Sequence, residues 1–206
     1  MKDPTHLYEG ELTGRKLMLV RIIAVLLLPT IFTIPVFMIL CLPLLPDWGS
    51  YAIAVAVTTV MISVLPSVNV FYFSKKTNNK DGDVEKREER IIPMITGIAI
   101  YVLAAVVIWF IEAPYLVKVF AATYPVSTTI MLVITLKWKI SLHMSGIAGP
   151  VCALGTMYFP LGWISAVILP IAAWARYVQR KHTPAQLIAG TAEGIIVTMA
   201  MFFIFL

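Results

Sequence analysis

The strongest constraint on this chain is where its charges sit. They are gathered into a few short clusters, and between the clusters run apolar stretches long enough to span a bilayer as helices, which takes about 20 residues each. Of the 206 residues only 13% are charged and 60% are hydrophobic, whereas soluble domains carry roughly 25% charge. This pattern predicts an all-α, polytopic transmembrane helical bundle. It forms one integral-membrane domain over residues 1–206, with a polar segment at 1–16 and a charged loop at 74–90.

Apolar segments are expected at 21–45, 51–73, 91–111, 115–136 and 185–206, with two shorter pieces, 147–159 and 161–175, meeting at Pro160 and Gly162. That makes seven spanning helices, or six if the pieces around Pro160 form one broken unit. The first segment holds Pro29, Pro35, Pro43 and Pro46, and prolines in spanning helices commonly kink them. The apolar run from 17 to 45 is too long for the core of a signal peptide and has no small-residue cleavage pattern, so it reads as a retained first helix. Cys41 and Cys152 sit in apolar segments without ligand spacing and read as small apolar fillers.

Seven spans would bring the N-terminus and the loops at 74–90, 137–146 and 176–182 to one side of the membrane. That side then holds every lysine and arginine except Lys118. The positive-inside rule makes this side, and any active site on it, cytoplasmic. The net charge of +5 accordingly reports topology and contact with anionic headgroups of the lipid bilayer. No nucleic-acid motif accompanies it, and no nucleic-acid partner is expected.

The loops on that side are rich in groups that bind phosphate. Lys80, Lys86, Arg87 and Arg90 come from the first; Lys137, Lys139, Ser141, His143 and Ser145 from the second; Arg176, Arg180, Lys181 and His182 from the third. Guanidinium forks match phosphate oxygens, and a histidine beside a bound phosphorus can attack it while another protonates the leaving oxygen. Thr183 and Pro184 suit the N-cap and first turn of a helix, which places His182 at a positive helix end. Gln186, four residues on, can accept a hydrogen bond from the imidazole, and Gly190 and Glu193 continue the stripe. The plainer reading of such clusters is that basic loops set topology or bind lipid headgroups.

At these residues the sequence resembles the type 2 phosphatidic acid phosphatase superfamily, which includes the vanadium haloperoxidases. The family's third motif is Ser-Arg, five residues, His, three residues, Asp. Here Arg176, His182 and Gln186 keep the spacing, with Ala175 for the serine and Gln186 for the aspartate. The second, Pro-Ser-Gly-His, is matched by Ser141 and His143 within Ile140-Ser141-Leu142-His143. The first, Lys, six residues, Arg-Pro, is matched in spacing by Lys80 and Arg87, with Glu88 for the proline; Arg90 and Pro93 offer another register. The resemblance spans residues 80–194.

It implies a metal-independent phosphatase without cofactor, which cleaves a phosphate monoester or diphosphate of a membrane phospholipid or isoprenoid through a phosphohistidine. His182 would be the nucleophile, His143 the acid for the leaving alcohol and Gln186 the orienting partner of His182. Lys80, Arg87, Arg90, Lys139, Ser141 and Arg176 would hold the phosphate. Glu193 lies about 16 Å along the helix from His182, too far to replace the missing aspartate, and reads as a buried polar anchor or part of a lipid groove.

Two alternatives accompany this expectation. Neutral Gln186 fits a non-catalytic lipid-phosphate-binding protein of the same fold. Asp81, Asp83 and Glu85 resemble the magnesium-binding loop of intramembrane prenyltransferases, although no second acidic motif follows. A Gly-x-Ser-x-Gly elbow is absent, and His6, His143 and His182 lack the spacing of a zinc site, so no metal is expected. The sequence is also compatible with a homo-oligomer.

Overall fold

The computed structural model describes residues 14–76, 84 and 86–206, and every regular element among them is helical. Helices α1 (Gly14–Leu26) and α2 (Pro29–Leu40) form a pair bent by 45°. Pro29 explains the break: it cannot donate to the preceding turn, but its fixed backbone suits the first position of the next helix. After the turn Leu42–Leu44, α3 (Trp48–Thr58) is capped by Asp47, whose Oδ1 accepts from the Gly49 and Ser50 amides at 3.0 and 3.3 Å. α3 continues through a π-helical stretch, Thr59–Val64, into α4 (Leu65–Lys76), giving a 29-residue span. The widened turns lie just ahead of Pro66, where the ladder must absorb a missing N–H.

α5 (Ile91–Phe110) and α6 (Tyr115–Thr135) pack as antiparallel neighbours. α7 (Leu142–Met157) starts from an N-cap at Ser141, and a 3₁₀ stretch, Leu161–Val167, leads into α8 (Ile168–Val178). α9 (Pro184–Phe205) opens on a capping box: Thr183 Oγ1 accepts from the Gln186 amide at 3.3 Å, and Gln186 Oε1 accepts from the Thr183 amide at 3.2 Å.

The all-α membrane architecture matches the sequence expectation, and several boundaries move. Among the described residues five helices are long and apolar enough to cross a membrane, or six if the bent α1–α2 pair is one span. The pieces around Pro160 do not join into one broken unit. Gly162 packs back on Leu154, and Trp163 on Gly155, so the chain reverses there and residues 161–178 form a span of their own. The preceding piece is α7, which begins at Leu142 rather than 147 and has 16 residues. At 1.5 Å per residue it is about 24 Å long, short of a hydrocarbon core of about 30 Å. It is the most enclosed helix of the bundle, with 12 of its 16 residues buried, so its length is matched to protein neighbours and not to lipid. Gly14, Arg15 and Lys16, read as part of a polar segment, already belong to α1.

The seam between α7 and α9 sets the bundle's centre. A Cβ on Gly190 would lie 2.3 Å from the Ser141 carbonyl oxygen, and one on Gly194 would lie 2.5 Å from that of Ser145. Small residues of this kind let membrane helices approach to backbone contact, where dispersion rather than water exclusion holds them. Large apolar side chains elsewhere point outward; Phe203 and Phe110 are 92% and 84% exposed. In water such a surface would drive aggregation, and in lipid it is the expected exterior.

Hydrogen bonds between loops define the two ends of the bundle. At one end the Arg87 side chain donates to the Leu136 carbonyl at 3.1 Å, and the Ser141 amide donates to the Gln186 carbonyl at 3.3 Å. At the other, Ser50 Oγ lies 2.7 Å from Glu112 Oε2, and the Tyr158 hydroxyl donates to the Ile39 carbonyl at 2.8 Å. The first end gathers the basic loops, while Lys118 donates to the Trp109 carbonyl near the second. Gly194→Ala is expected to lower stability by about 1–3 kcal/mol, because the new methyl meets backbone that cannot rotate away. Thermal unfolding in detergent checks this, and an unchanged midpoint would contradict the seam.

Candidate functional site

A cavity of about 1100 Å³ opens beneath the basic end. That is at or above the upper range of sites for drug-sized ligands, about 300–1,000 Å³. Arg90, His143, Arg176 and His182 line it near the basic end, with Ser127, Ser145, Thr123 and Thr198 further in. Its side walls are apolar, from Val25 and Leu28 at the α1–α2 bend to Val68 and Phe71 on α4. Val25, Val68 and Phe71, on the side between the bent pair and α4, are more than half exposed. The shape of the cavity suits an amphiphile.

His182 is the most constrained group at the mouth. It precedes the Thr183 cap, is 3% exposed, and its Nδ1 lies 3.1 Å from Gln186 Oε1. That oxygen also accepts from the Thr183 amide, which identifies it as the carbonyl oxygen of Gln186. Nδ1 must therefore carry the proton, and Nε2 keeps its lone pair. Burial pushes the imidazole pKa from its ordinary 6.5 down to about 2, reinforced by the charges of Arg90, Arg176 and Lys139, while the hydrogen bond to Gln186 opposes the shift. The three charges thus reach this ring from three separate segments: the turn Glu88–Arg90, the connection before α7 and the last turn of α8.

The other expected residues divide into three groups. Arg90 is buried: its Nε donates to the Val84 carbonyl at 2.6 Å and its Nη1 to the Ile140 carbonyl at 3.4 Å, which aligns the fork beside the cavity. Arg176, in the last turn of α8, and His143, in the first turn of α7, are buried and line the cavity with it. Lys139 is half-buried and acts on His182 through its charge.

Arg87 and Ser141 stand apart. Arg87 is not among the residues that line the cavity; it is bonded to the Leu136 carbonyl and paired with Glu88 at 2.9 Å. Ser141 is fully buried with its Oγ accepting from the Met144 amide at 3.3 Å, so it serves as the cap that starts α7 and positions His143. Lys80 lies outside the described residues, as do His6, Asp81, Asp83 and Glu85.

Other residues join the site without having been singled out in the sequence. Arg21 on α1 and Ser127 on α6 line the cavity; each had been absorbed into an apolar segment. Arg180 and Lys181, already expected from the third basic loop, line it as well. Arg180 adopts a left-handed backbone, φ 59°, where α8 ends: its amide donates to the Tyr177 carbonyl, and the Lys181 amide to that of Arg176. This is a Schellman closure, usually made with glycine at the left-handed position, and an arginine there costs about 1 kcal/mol or more. Below the mouth, Ser127 and Ser145 both donate to Glu193.

No protein-family model matches this chain, and neither the curated proteins nor the solved structures yield a match.

The pH response of His182 has a defined sign. Its pKa is lower in the folded chain than its ordinary 6.5, so below that value the unfolded chain binds the extra proton. Stability is complete above pH 6.5 and falls as the pH drops toward about 2, by up to about 1.4 kcal/mol per pH unit for one proton. Unfolding midpoints in detergent between pH 7 and 5 are expected to fall, and His182→Asn to flatten the slope. An unchanged slope in the variant would contradict a neutral, desolvated His182.

Proposed function

We propose that this protein is a metal-independent membrane lipid-phosphate phosphatase of the kind the sequence resembles, acting on a phosphate monoester or diphosphate of a phospholipid or isoprenoid. One observation carries the reading: Arg90 and Arg176 line one cavity with apolar walls together with a buried histidine whose Nδ1 proton is held by Gln186, and the charge of Lys139 reaches that histidine as well. Guanidinium forks match phosphate oxygens, and a lysine adds point charge.

In this reading the phosphate occupies the mouth and the hydrocarbon lies along the apolar walls. His182 Nε2 attacks phosphorus, the bond from phosphorus to the lipid oxygen breaks, and a protonated His143 gives its proton to that oxygen. His143 then takes a proton from water as the water oxygen attacks the phosphohistidine. The phosphorus–nitrogen bond breaks and inorganic phosphate leaves. Arg90, Arg176 and Lys139 stabilise the charge on the equatorial oxygens, where such groups act most strongly. The basic end is assigned to the cytoplasmic face on the positive-inside rule.

A second reading, a lipid-phosphate-binding protein without turnover, is favoured by Gln186 itself. Its amide orients His182 but adds no negative charge to stabilise an imidazolium. Phosphate release from detergent-solubilised protein, across a lipid panel with EDTA present, separates the two. Release is expected, with His182→Ala and His143→Ala each lowering kcat by about 100-fold or more. Gln186→Asp is expected to raise the rate by supplying the missing charge. Equal release by His182→Ala would contradict the phosphatase reading, and tight binding with no release would establish the second.

A further inference from the structure

Glu193 is a buried carboxylate with no role in the chemistry above. It sits in the tenth position of α9, is 8% exposed, and has no cationic partner among the described residues. Ionisable groups inside membrane proteins are expensive to keep, and they generally face a cavity or a functional partner. Ser127 Oγ donates to Glu193 Oε1 at 2.9 Å, Ser145 Oγ donates to Oε2, and the two hydroxyl oxygens lie 3.3 Å apart. Each serine has one proton to give, while a carboxylate has about four acceptor positions. Acceptor capacity therefore remains after both serines are bound.

Both serines line the same cavity as His143 and His182, and so do Gly149 and Gly194, which present no side chain. Ser145 follows His143 by two residues, about 3 Å along α7, and Glu193 lies about 10 Å along α9 from Gln186. The two serines therefore present their hydroxyls to the cavity below the mouth, and Glu193, which is not itself a lining residue, accepts from them from behind.

We infer that Ser127, Ser145 and Glu193 form a second polar subsite, which holds a hydrogen-bond donor, ammonium or hydroxyl, carried by the lipid within a few atoms of its phosphate. The inference rests on the phosphate reading of the mouth, and it narrows the ligand from any lipid phosphate to one bearing a donor beside the phosphate.

Three single-chain phosphates of equal length test it on the full protein in nanodiscs: a plain alkyl phosphate, its 2-hydroxy analogue and its 2-amino analogue. A donor-bearing ligand is expected to bind about ten-fold tighter than the plain one, the scale of a hydrogen bond to a charged group. Glu193→Gln is expected to remove most of that preference while leaving the Kd of the plain phosphate unchanged, which also reports an intact fold. If that variant fails to bind the plain phosphate, the Ser127→Ala, Ser145→Ala double variant takes its place with the same expectation. Whichever analogue gains more identifies the donor. Equal affinity for all three, or a preference that survives the variants, overturns the subsite and leaves the phosphate reading standing. Binding of none of the three overturns both.

Discussion

Backbone contact between α7 and α9 governs how the basic end is built. Gly190 lies against the Ser141 carbonyl and Gly194 against that of Ser145, while the Ser141 amide donates to the Gln186 carbonyl. Those contacts fix the register of two helices that both start at the same end. One carries His143 in its first turn, and the other is preceded by His182. Separate the helices by one methyl group and the two histidines lose their common wall. The short, buried α7 belongs to this arrangement: its small residues let α2, α9 and the 161–167 stretch all approach it closely.

Electrostatics then explains why the mouth is unusual. A buried imidazole that feels the charges of Arg90, Arg176 and Lys139 resists taking up a second proton, and the geometry at Gln186 fixes which nitrogen keeps its lone pair. An anion bound beside the ring would favour its charged form. Gln186 holds the ring and caps α9 at once, using the same oxygen for the His182 and Thr183 protons. A carboxylate in that place could do both and add charge, which is why the neutral side chain is central to the choice between turnover and binding.

The sequence foretold the class of molecule because lipid enforces a simple code of apolar helices between charged loops. It also foretold the start of α9, since Thr183, Pro184 and Gln186 form a local capping pattern that needs no tertiary context. What escaped depended on neighbours distant in sequence. Arg87 and Arg90 look alike in a basic loop, yet one bonds the Leu136 carbonyl outside the cavity lining and the other is buried against Val84 and Ile140. Ser141 looked like a phosphate ligand and serves as a helix cap. Ser127 was one hydroxyl within an apolar span, and only the packing of α6 on α9 reveals its carboxylate partner. The break at residues 27–28 and the reversal at Pro160 lay among prolines whose number marked bends without saying which would reverse the chain.

We propose that the basic mouth is a phosphate site with His182 at its reactive centre. The most direct test is a crystal structure of the protein soaked with orthovanadate, an anion that mimics phosphate in transfer. Vanadate is expected in the cavity mouth, bonded or nearly so to His182 Nε2, with its oxygens held by Arg90 and Arg176. Vanadate bound elsewhere, or lying in the mouth away from His182, would contradict the account.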